Sequence, residues 1–501
     1  MSDFQSVTAV LVGVVSFITV LFYGKFLWRR SKMPPGPFPI PILGNFLQIH
    51  SDGLLPNLLK LSKAYGPVYT VHFGSRPAVI VTGYPALREV LINHGDAFLN
   101  RGTLPAADRV MHHEGTSFTN GELWKQLRQF SLQTLKDFGM GKKSLEDPIL
   151  EEAHHMVEHL KNLNEQPFEP STLLICASSN VLANMLMETR YDYNDEKWMK
   201  ILQGTREAFH IMSSFWGQLY DFFPAVMEWL PGPHKRIFFL LEILEDVMKE
   251  SIRNHQQTLD PACPRDFIDC YLIKMTQENN NLGKSPFTLK GLPPAIMDMF
   301  LGGTESTALT LNFGFLILMK YPELQDKMYD EIDQVVGQAR EPRAENRTQM
   351  PLMNAFVHEI QRYSDVFPMG LTRSTTRDIT FHGYYIPEGT DIITLLTTAL
   401  RDPTQFETPE KFNIKHFLDD NGKFRKRNAF LPFSAGKRAC IAESLVRMQL
   451  FLTFTIILQK FTLKSMMDPK DVDISPAISG VENIPPACKI IFSQRTLDGE
   501  V

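Results

Sequence analysis

Toward its C-terminal end the sequence reads Phe433-Ser434-Ala435-Gly436-Lys437-Arg438-Ala439-Cys440, with a lone cysteine at fixed offsets from an aromatic, a glycine and an arginine. An apolar helical pattern, Ile441 to Phe461, follows at once. A thiolate at a helix N-terminus is stabilised by the helix dipole and by free backbone N–H groups. Such a sulfur can hold a haem iron and push electron density onto it, which favours O–O cleavage. Each neighbour then has a physical task. Phe433 packs against the sulfur, Gly436 permits a tight turn, and Arg438 reaches a propionate in a charge-assisted contact. A single cysteine is ordinarily just packing; the complete spacing points to ligation.

Gly302-Gly303-Thr304-Glu305-Ser306-Thr307 lies inside a long apolar stretch, Leu292 to Lys320. Each glycine in a helix interior costs about 1 kcal/mol relative to alanine. Two in succession imply a need for room, where oxygen and substrate could sit and the helix could bulge or kink. Glu305, between the hydroxyls of Thr304 and Ser306, could then relay protons from solvent. The competing reading is a glycine-tolerant helix crossing with a surface acid. Glu359 and Arg362, three apart, share one helical face, and the flanking Phe356, Val357 and Ile360 imply partial burial. Trp124 and Arg128, four apart on a helix starting near Asn120, project an indole N–H and a guanidinium together, a pair suited to a propionate.

The elements needed to hold these residues are mostly helical. Periodicity predicts helices over Asp147 to Leu163, Phe238 to Gln256 and Leu292 to Lys320. Val68 to Phe73 and Ala78 to Thr82 flank a Gly-Ser-Arg-Pro turn and predict a small hairpin, with further strands at Ile379 to Phe381 and Ile392 to Leu396. The class is mainly α with a minor β portion. The 501 residues are 44% hydrophobic and 11% aromatic, enough for one large core. A net charge of -5 without a basic stripe argues against nucleic-acid binding. Five scattered cysteines without a C-x-x-C pair exclude a disulfide framework and a zinc site, and they fit a reducing compartment.

Phe4 to Gly24 is uncharged and long enough to span a bilayer, and Arg29, Arg30 and Lys32 follow it. The positive-inside rule predicts an uncleaved anchor with its N-terminus lumenal and the remainder cytosolic. The predicted organisation is an anchor and basic stop-transfer over 1–32, a proline-rich hinge over 33–50, and a catalytic domain over 51–501. Dense proline keeps the hinge out of a helix and makes it stiff.

The cysteine loop resembles the haem-binding signature of the cytochrome P-450 superfamily, aromatic-x-x-Gly-x-Arg-x-Cys-x-Gly, with Ala442 replacing the final glycine. The resemblance runs from the proline hinge to Pro485-Pro486 and is nearest to vertebrate-type family 2 microsomal members, notably over Asn120 to Arg128, Leu230 to His234 and Pro264 to Asp269. It implies a single large P-450 fold behind a transmembrane helix, and haem b with Cys440 as axial ligand. Trp124, Arg128, Arg373, Arg438, Phe433 and Gly436 would hold the cofactor. Glu359 and Arg362 would lock the core beneath the loop, with His416 where the family usually has arginine. Glu305, Ser306 and Thr304 would form the oxygen-activating run, with Ser306 replacing the usual threonine, which keeps the hydroxyl and frees its rotamer.

By the same analogy the substrate pocket would be lined by Leu104, Met111, Phe118, Phe300, Gly302, Val366, Phe367 and Val481, an apolar set. The implied activity is an unspecific-type monooxygenation at the endoplasmic reticulum membrane: hydroxylation or epoxidation of fatty acids, steroids or foreign compounds. No dinucleotide fingerprint is present, so electrons would come from NADPH through NADPH–cytochrome P-450 reductase, with cytochrome b5 as a second donor. Arg425-Lys426-Arg427 offers a docking patch, with Lys125, Lys136, Lys142 and Lys143 as additions. Two other readings stay open at this stage: a peroxide isomerase or dehydratase needing no reductase, and a haem transport or sensor protein.

Overall fold

Prolines 34, 35, 37 and 39 hold the chain extended and remove backbone donors. The computed structural model describes residues 13, 17, 21, 24–49, 53–137, 143–282 and 285–495. In it the proline run is fastened to a strand: Thr70 N donates to Pro35 O at 2.8 Å and Thr70 Oγ1 to Pro34 O at 2.9 Å. Gly36 makes this approach possible, because a Cβ there would lie 1.9 Å from the Thr70 carbonyl oxygen. The anchor expected over Phe4 to Gly24 falls almost wholly outside the described residues. Among the described residues no helix is long and apolar enough to cross a membrane.

The chain gathers into two compact units. The first holds the residues up to Gly102 together with Leu371–Thr394. It contains helix α1 (Leu54–Tyr65) and strands β1 (Val68–Phe73), β2 (Arg76–Val81), β3 (Asn100–Arg101), β4 (Arg373–Ser374), β5 (Ile379–Phe381), β6 (Tyr384–Ile386) and β7 (Asp391–Thr394). The expected hairpin is present, with Phe73 opposite Arg76 and Gly74 in the left-handed conformation at its turn. One five-stranded sheet has the order β1-β2-β7-β4-β3. Its β2–β7 pair is parallel, Ile80 facing Ile393, and both residues come from β-branched runs suited to a covered sheet.

The second unit holds Thr103–Gly370 and the chain from Leu395 onward. Its main helices are α2 (Gly121–Asp137), α3 (Lys143–Asn162), α4 (Ser171–Met187), α5 (Glu196–Ser213), α6 (His234–Thr258), α7 (Leu292–Lys320), α8 (Pro351–Ser364) and α9 (Glu443–Lys460). A short hairpin, β8 (Ile478–Ser479) and β9 (Asn483–Ile484), also belongs to it. Helix α5 begins at Asp195, whose Oδ1 accepts from the backbone N–H groups of Lys197 and Trp198, each at 3.0 Å.

Helix α7 is the spine of this unit. Pro293 and Pro294 start it, where missing N–H groups leave nothing unpaired. It is apolar around its whole circumference, as a helix enclosed by others must be. Two glycines let neighbours approach it closely. A Cβ at Gly303 would lie 2.7 Å from Leu182 on α4, and one at Gly314 would lie 2.2 Å from the Phe454 ring on α9. Gly302 is different, for no heavy atom lies within 4 Å of its Cβ position. Gly314→Ala should therefore lower unfolding free energy by about 1–3 kcal/mol through overpacking. Gly302→Ala should leave it unchanged or raise it by up to about 1 kcal/mol. Denaturant midpoints at constant m-value distinguish the two.

Candidate active site

The cysteine loop folds by local backbone rules. Ser434 and Gly436 both take left-handed φ values, 59° and 73°, which turn the chain sharply enough for Cys440 N to donate back to Phe433 O at 3.0 Å. Helix α9 then begins at Glu443, two residues later than the apolar pattern predicts, because Ile441 and Ala442 are spent completing the turn. Phe433 thus contributes its carbonyl to the loop. Its ring faces Arg447, whose guanidinium carbon lies 5.4 Å from that ring's centroid and 5.4 Å from that of Phe430. Arg447 is itself held by Glu443 one turn earlier, at 2.8 Å.

Two arginines pin the loop to α2 and the segment before it. Arg128 donates from Nη2 to Ala439 O at 2.7 Å. Arg438, almost fully buried, donates to Thr119 O at 2.7 Å and to Asn120 Oδ1 at 2.9 Å. Its guanidinium carbon stands 3.8 Å above the Trp124 ring. The Trp124 indole N–H is buried and has no hydrogen-bond partner among the described residues, so it is a donor in want of an acceptor. Asp298 on α7 secures the same segment, accepting from Thr116 N, Thr116 Oγ1 and Ser117 N at 3.0, 2.6 and 2.7 Å.

Cys440 is exposed at the end of the loop, with the Ala442 backbone N–H and the Arg128 charge near its thiol. Desolvation pushes this thiol up, opposed by that N–H and that charge. The helix-start effect expected from sequence is therefore outweighed by desolvation. Thiolate formation here calls for a further positive charge, which a bound metal supplies. The open Gly302 position, the unpartnered indole N–H and the loop thiol together fit a haem.

On α7, Gly302 and Ser306 are one turn apart and both carry open surface. The helix runs unbroken through them. Ser306 Oγ donates back to Gly302 O at 2.7 Å, and Thr310 Oγ1 donates to Ser306 O at 2.7 Å. Glu305 points elsewhere. It is buried, with Oε1 3.7 Å from Arg206 Nε on α5, and burial pushes its carboxyl up to about 7 against the Arg206 charge. Thr304 is buried, and its hydroxyl has no partner among the described residues.

Glu359 and Arg362 make a fork-to-fork pair on α8, both contacts at 2.7 Å, with neither side chain exposed. Arg362 also donates to Leu400 O, Pro409 O and Lys411 O, at 3.0, 2.7 and 2.8 Å. Glu359 Oε1 accepts from Asn413 N at 2.7 Å, and His416 Nδ1 lies 3.1 Å from the same oxygen. Because Thr408 N donates to His416 Nε2 at 3.2 Å, the hydrogen-bond pattern assigns the proton to Nδ1.

The proposed pocket residues fall into two groups. Met111 and Phe300 are closed into the core, Phe300 edge-on to Trp198 at 5.8 Å, and Val366 is buried against Leu309 and Ile484. Leu104, Phe118 and Phe367 are half-buried, while Gly302 and Val481 carry open surface. Arg373 is buried on β4 of the first unit and is described only with that unit. In the basic triplet, Arg425 and Lys426 are exposed, but Arg427 donates to His416 O at 2.7 Å and is half-buried, so it serves the fold. Sequence reasoning passed over Asp298, Arg206 and Glu482. Asp298 had a signal, since it lies seven residues before Glu305, two turns along the same helix. Arg206 and Glu482 had none. A possible metal cluster, His255, Asp266 and Asp269, is satisfied internally: His255 meets Asp266 at 2.6 Å and Asp269 meets Arg265 at 2.7 Å.

A cysteine on a loop pinned by two arginines, and a helix opened by glycine, are the parts a haem-thiolate protein needs. Comparison with known proteins identifies which kind. Residues 34–492 match the cytochrome P450 family, and the chain belongs to it. It is similar to cytochrome P450 2F2 of Mus musculus, at 48% identity over 91% of this chain and 93% of that one. It is 46% identical to cytochrome P450 2F1 of Homo sapiens and 44% identical to cytochrome P450 2G1 of Oryctolagus cuniculus, each over 97% of this chain and 99% of the relative. The protein is a family 2 haem-thiolate monooxygenase of lipophilic small molecules, and its haem iron takes a cysteine thiolate. Because removing one partner strands a buried charge, Arg362→Ala should destabilise the protein by about 3–5 kcal/mol. Denaturant unfolding, followed in parallel by tryptophan emission and haem absorbance, checks this.

Proposed function

We propose that Cys440 is the thiolate ligand and that the space bounded by its loop and by Gly302 and Ser306 is the reaction site. The observation that carries this is an exposed thiol on a loop held by Arg128 and Arg438. Trp124, with its free indole N–H, Arg128 and Arg438 would grip the propionates, and Arg373 is a further candidate. The bound haem supplies oxygen activation by single-electron steps. The chain's own residues do the rest. Gly302 leaves room, Ser306 offers a hydroxyl on the open side of α7, and Glu305 holds a proton near neutral pH, the condition for a general acid. Thr304 is a buried hydroxyl beside it.

Leu104, Phe118, Gly302, Phe367 and Val481 are the proposed lining, and their apolar character favours fatty acids, steroids or foreign compounds of low polarity. Their number and variety fit an unspecific-type monooxygenase. The electron donor is taken to be NADPH–cytochrome P-450 reductase, with cytochrome b5 as an alternative, and the exposed Arg425 and Lys426, with Lys125 and Lys136 as additions, are the cations proposed to meet an acidic partner. The location proposed is the endoplasmic reticulum membrane, from the Phe4 to Gly24 hydropathy and the basic residues after it.

Reduced protein under carbon monoxide should show the red-shifted Soret band of thiolate ligation, and Cys440→Ala should abolish it. A panel of lipids and drugs incubated with reductase and NADPH should give oxygenated products by mass spectrometry, and none when reductase is omitted. Product formation without reductase would favour a peroxide isomerase instead.

Ser306→Thr restores a rotamer-restricting methyl on the open face. It should lower hydrogen peroxide released per product, by about twofold to tenfold if proton delivery limits coupling. An unchanged ratio would remove Ser306 from the proton path.

A further inference from the structure

The β8–β9 hairpin is held at both sides of its tip. Val481 N donates to Ser213 Oγ at the end of α5, at 3.3 Å, and the Gly480 backbone is so close that a Cβ would lie 2.8 Å from Ser213 Cβ. On the other side Asn483 N donates to Val366 O at 2.9 Å, and its Nδ2 donates to Ser364 O and Asp365 O at 3.2 and 2.8 Å. Between these anchors sits Glu482, 1% exposed, with neither carboxylate oxygen hydrogen-bonded to any described residue. A buried carboxylate left so is strongly disfavoured as an ion, so it calls for a proton or a counter-charge.

The charged neighbours are few. Glu482 interacts electrostatically with Glu305 on α7 and Arg206 on α5, and Arg206 already lies 3.7 Å from Glu305. His210, one turn beyond Arg206, is driven toward the neutral form by burial and by that arginine, and its Nε2 has no hydrogen-bond partner among the described residues. Asp365, on the segment holding Asn483, is also buried and pushed up to about 7 by desolvation. Among the described residues, Arg206 is the cation coupled to both Glu305 and Glu482. Balance requires one proton between them.

We propose that Glu482 is a positioning residue for the oxygenation reaction: with Glu305 it forms a carboxyl pair that shares one proton, counterbalanced by Arg206. This rests on the reading of Glu305 as the acid of the reaction site. Burial, followed by the negative charge of Glu305, pushes Glu482 well above the ordinary carboxylate range. Because the two carboxyls are electrostatically coupled, their protons would leave in two separated steps that belong to the pair. The lower step releases one proton, and the upper step is delayed because the second ionisation would leave two charges against one arginine. Glu482 thus keeps a proton within reach of Glu305 at a pH where a lone carboxyl would have lost it. Arg206 is about one-third exposed, placing solvent beside the pair, and since its guanidinium does not deprotonate it holds charge while the carboxyls exchange protons.

The experiment uses ferric holoprotein. Infrared difference spectroscopy across pH follows the protonated-carboxyl band, and product per NADPH is measured over the same range. In the wild type the band persists above neutral pH. Glu482→Gln, which keeps shape and burial, should remove this upper step and move the alkaline limb of product per NADPH down by about one pH unit or more, while Glu482→Asp should restore both. Glu305→Gln should lower the midpoint of the remaining Glu482 band by a similar amount. A band unchanged in Glu482→Gln, or unmoved in Glu305→Gln, would overturn the proposal. Bands that shift as expected while neither variant alters the pH profile would leave the pair standing and remove Glu305 from the reaction.

Discussion

The buried pair of Glu359 and Arg362 organises the scaffold beneath the cysteine loop. Two full charges sit side by side with no exposure at all, a position tenable only if every remaining donor and acceptor is satisfied. Arg362 uses its other protons on three carbonyls between Leu400 and Lys411, and Glu359 accepts the Asn413 N–H. An irregular stretch with no ladder of its own thus receives a fixed shape from one helix. His416 extends it: its ring bridges Glu359 and Thr408, and its carbonyl takes the Arg427 guanidinium on the approach to the cysteine loop. Where the family usually has a forked cation, this chain has one neutral ring with a single proton to give, and a backbone N–H closes its other side.

That scaffold delivers a loop whose own electrostatics are adverse. Desolvation raises the Cys440 thiol, and one backbone N–H and one nearby arginine offset only part of the effect. If Cys440 is the ligand, thiolate and cofactor would be interdependent, since a bound metal would supply the positive charge that the loop itself lacks. The same logic covers Trp124. Its ring is committed to stacking beneath Arg438, and its N–H is left over. A stranded indole N–H and a thiol with a raised pKa are what a ligand with an electrophilic centre and acidic edges would satisfy.

Much of this was legible in the residues. The hairpin strand Val68–Phe73, the strand Ile379–Phe381 and the helix Leu292–Lys320 stand where periodicity places them, because long runs of one period leave little choice. The helices Lys143–Asn162 and His234–Thr258 each start four residues before the expected Asp147 and Phe238, because their polar first turns carry no apolar signal. The first ends one residue before Leu163 and the second two beyond Gln256. Two-residue strands such as Asn100–Arg101 and the β8–β9 hairpin were missed since they are too short to have a period. The Glu359–Arg362 face was readable as apolar, but its complete burial depends on segments far along the chain. Met111 and Phe300 look like any pocket residue in sequence; only packing shows that they close the core. Glu482 is the clearest case, because an acid between Val481 and Asn483 in a turn is ordinary until the fold carries it inside.

The glycine-hydroxyl run on α7 divides its work by helical geometry. Gly302 and Ser306 are four apart and therefore share a face, and that is the face with open surface. Glu305 is one residue away, about a quarter-turn around the axis, which turns its carboxyl out of the open space and toward α5 and the hairpin. Gly303, on a further face, is occupied with Leu182. One turn of helix thereby presents room and a hydroxyl on one side, an acid on another and a packing contact on a third. The acid gains a dry neighbourhood that lifts it toward neutrality, which exposure to a water-filled pocket would not provide. It also loses direct reach to the open face, so under the proposed function a proton it held would need an intermediary, and the hydroxyls of α7 are the proposed one. Ser306 is the hydroxyl on the open side, and its proton is donated to Gly302 O. Passing a proton onward requires that this bond open, and the freedom of a serine rotamer makes the opening easy while making the return geometry less certain. Under the proposed function, serine in place of threonine would act at the step that joins the buried acid to the open face of the helix.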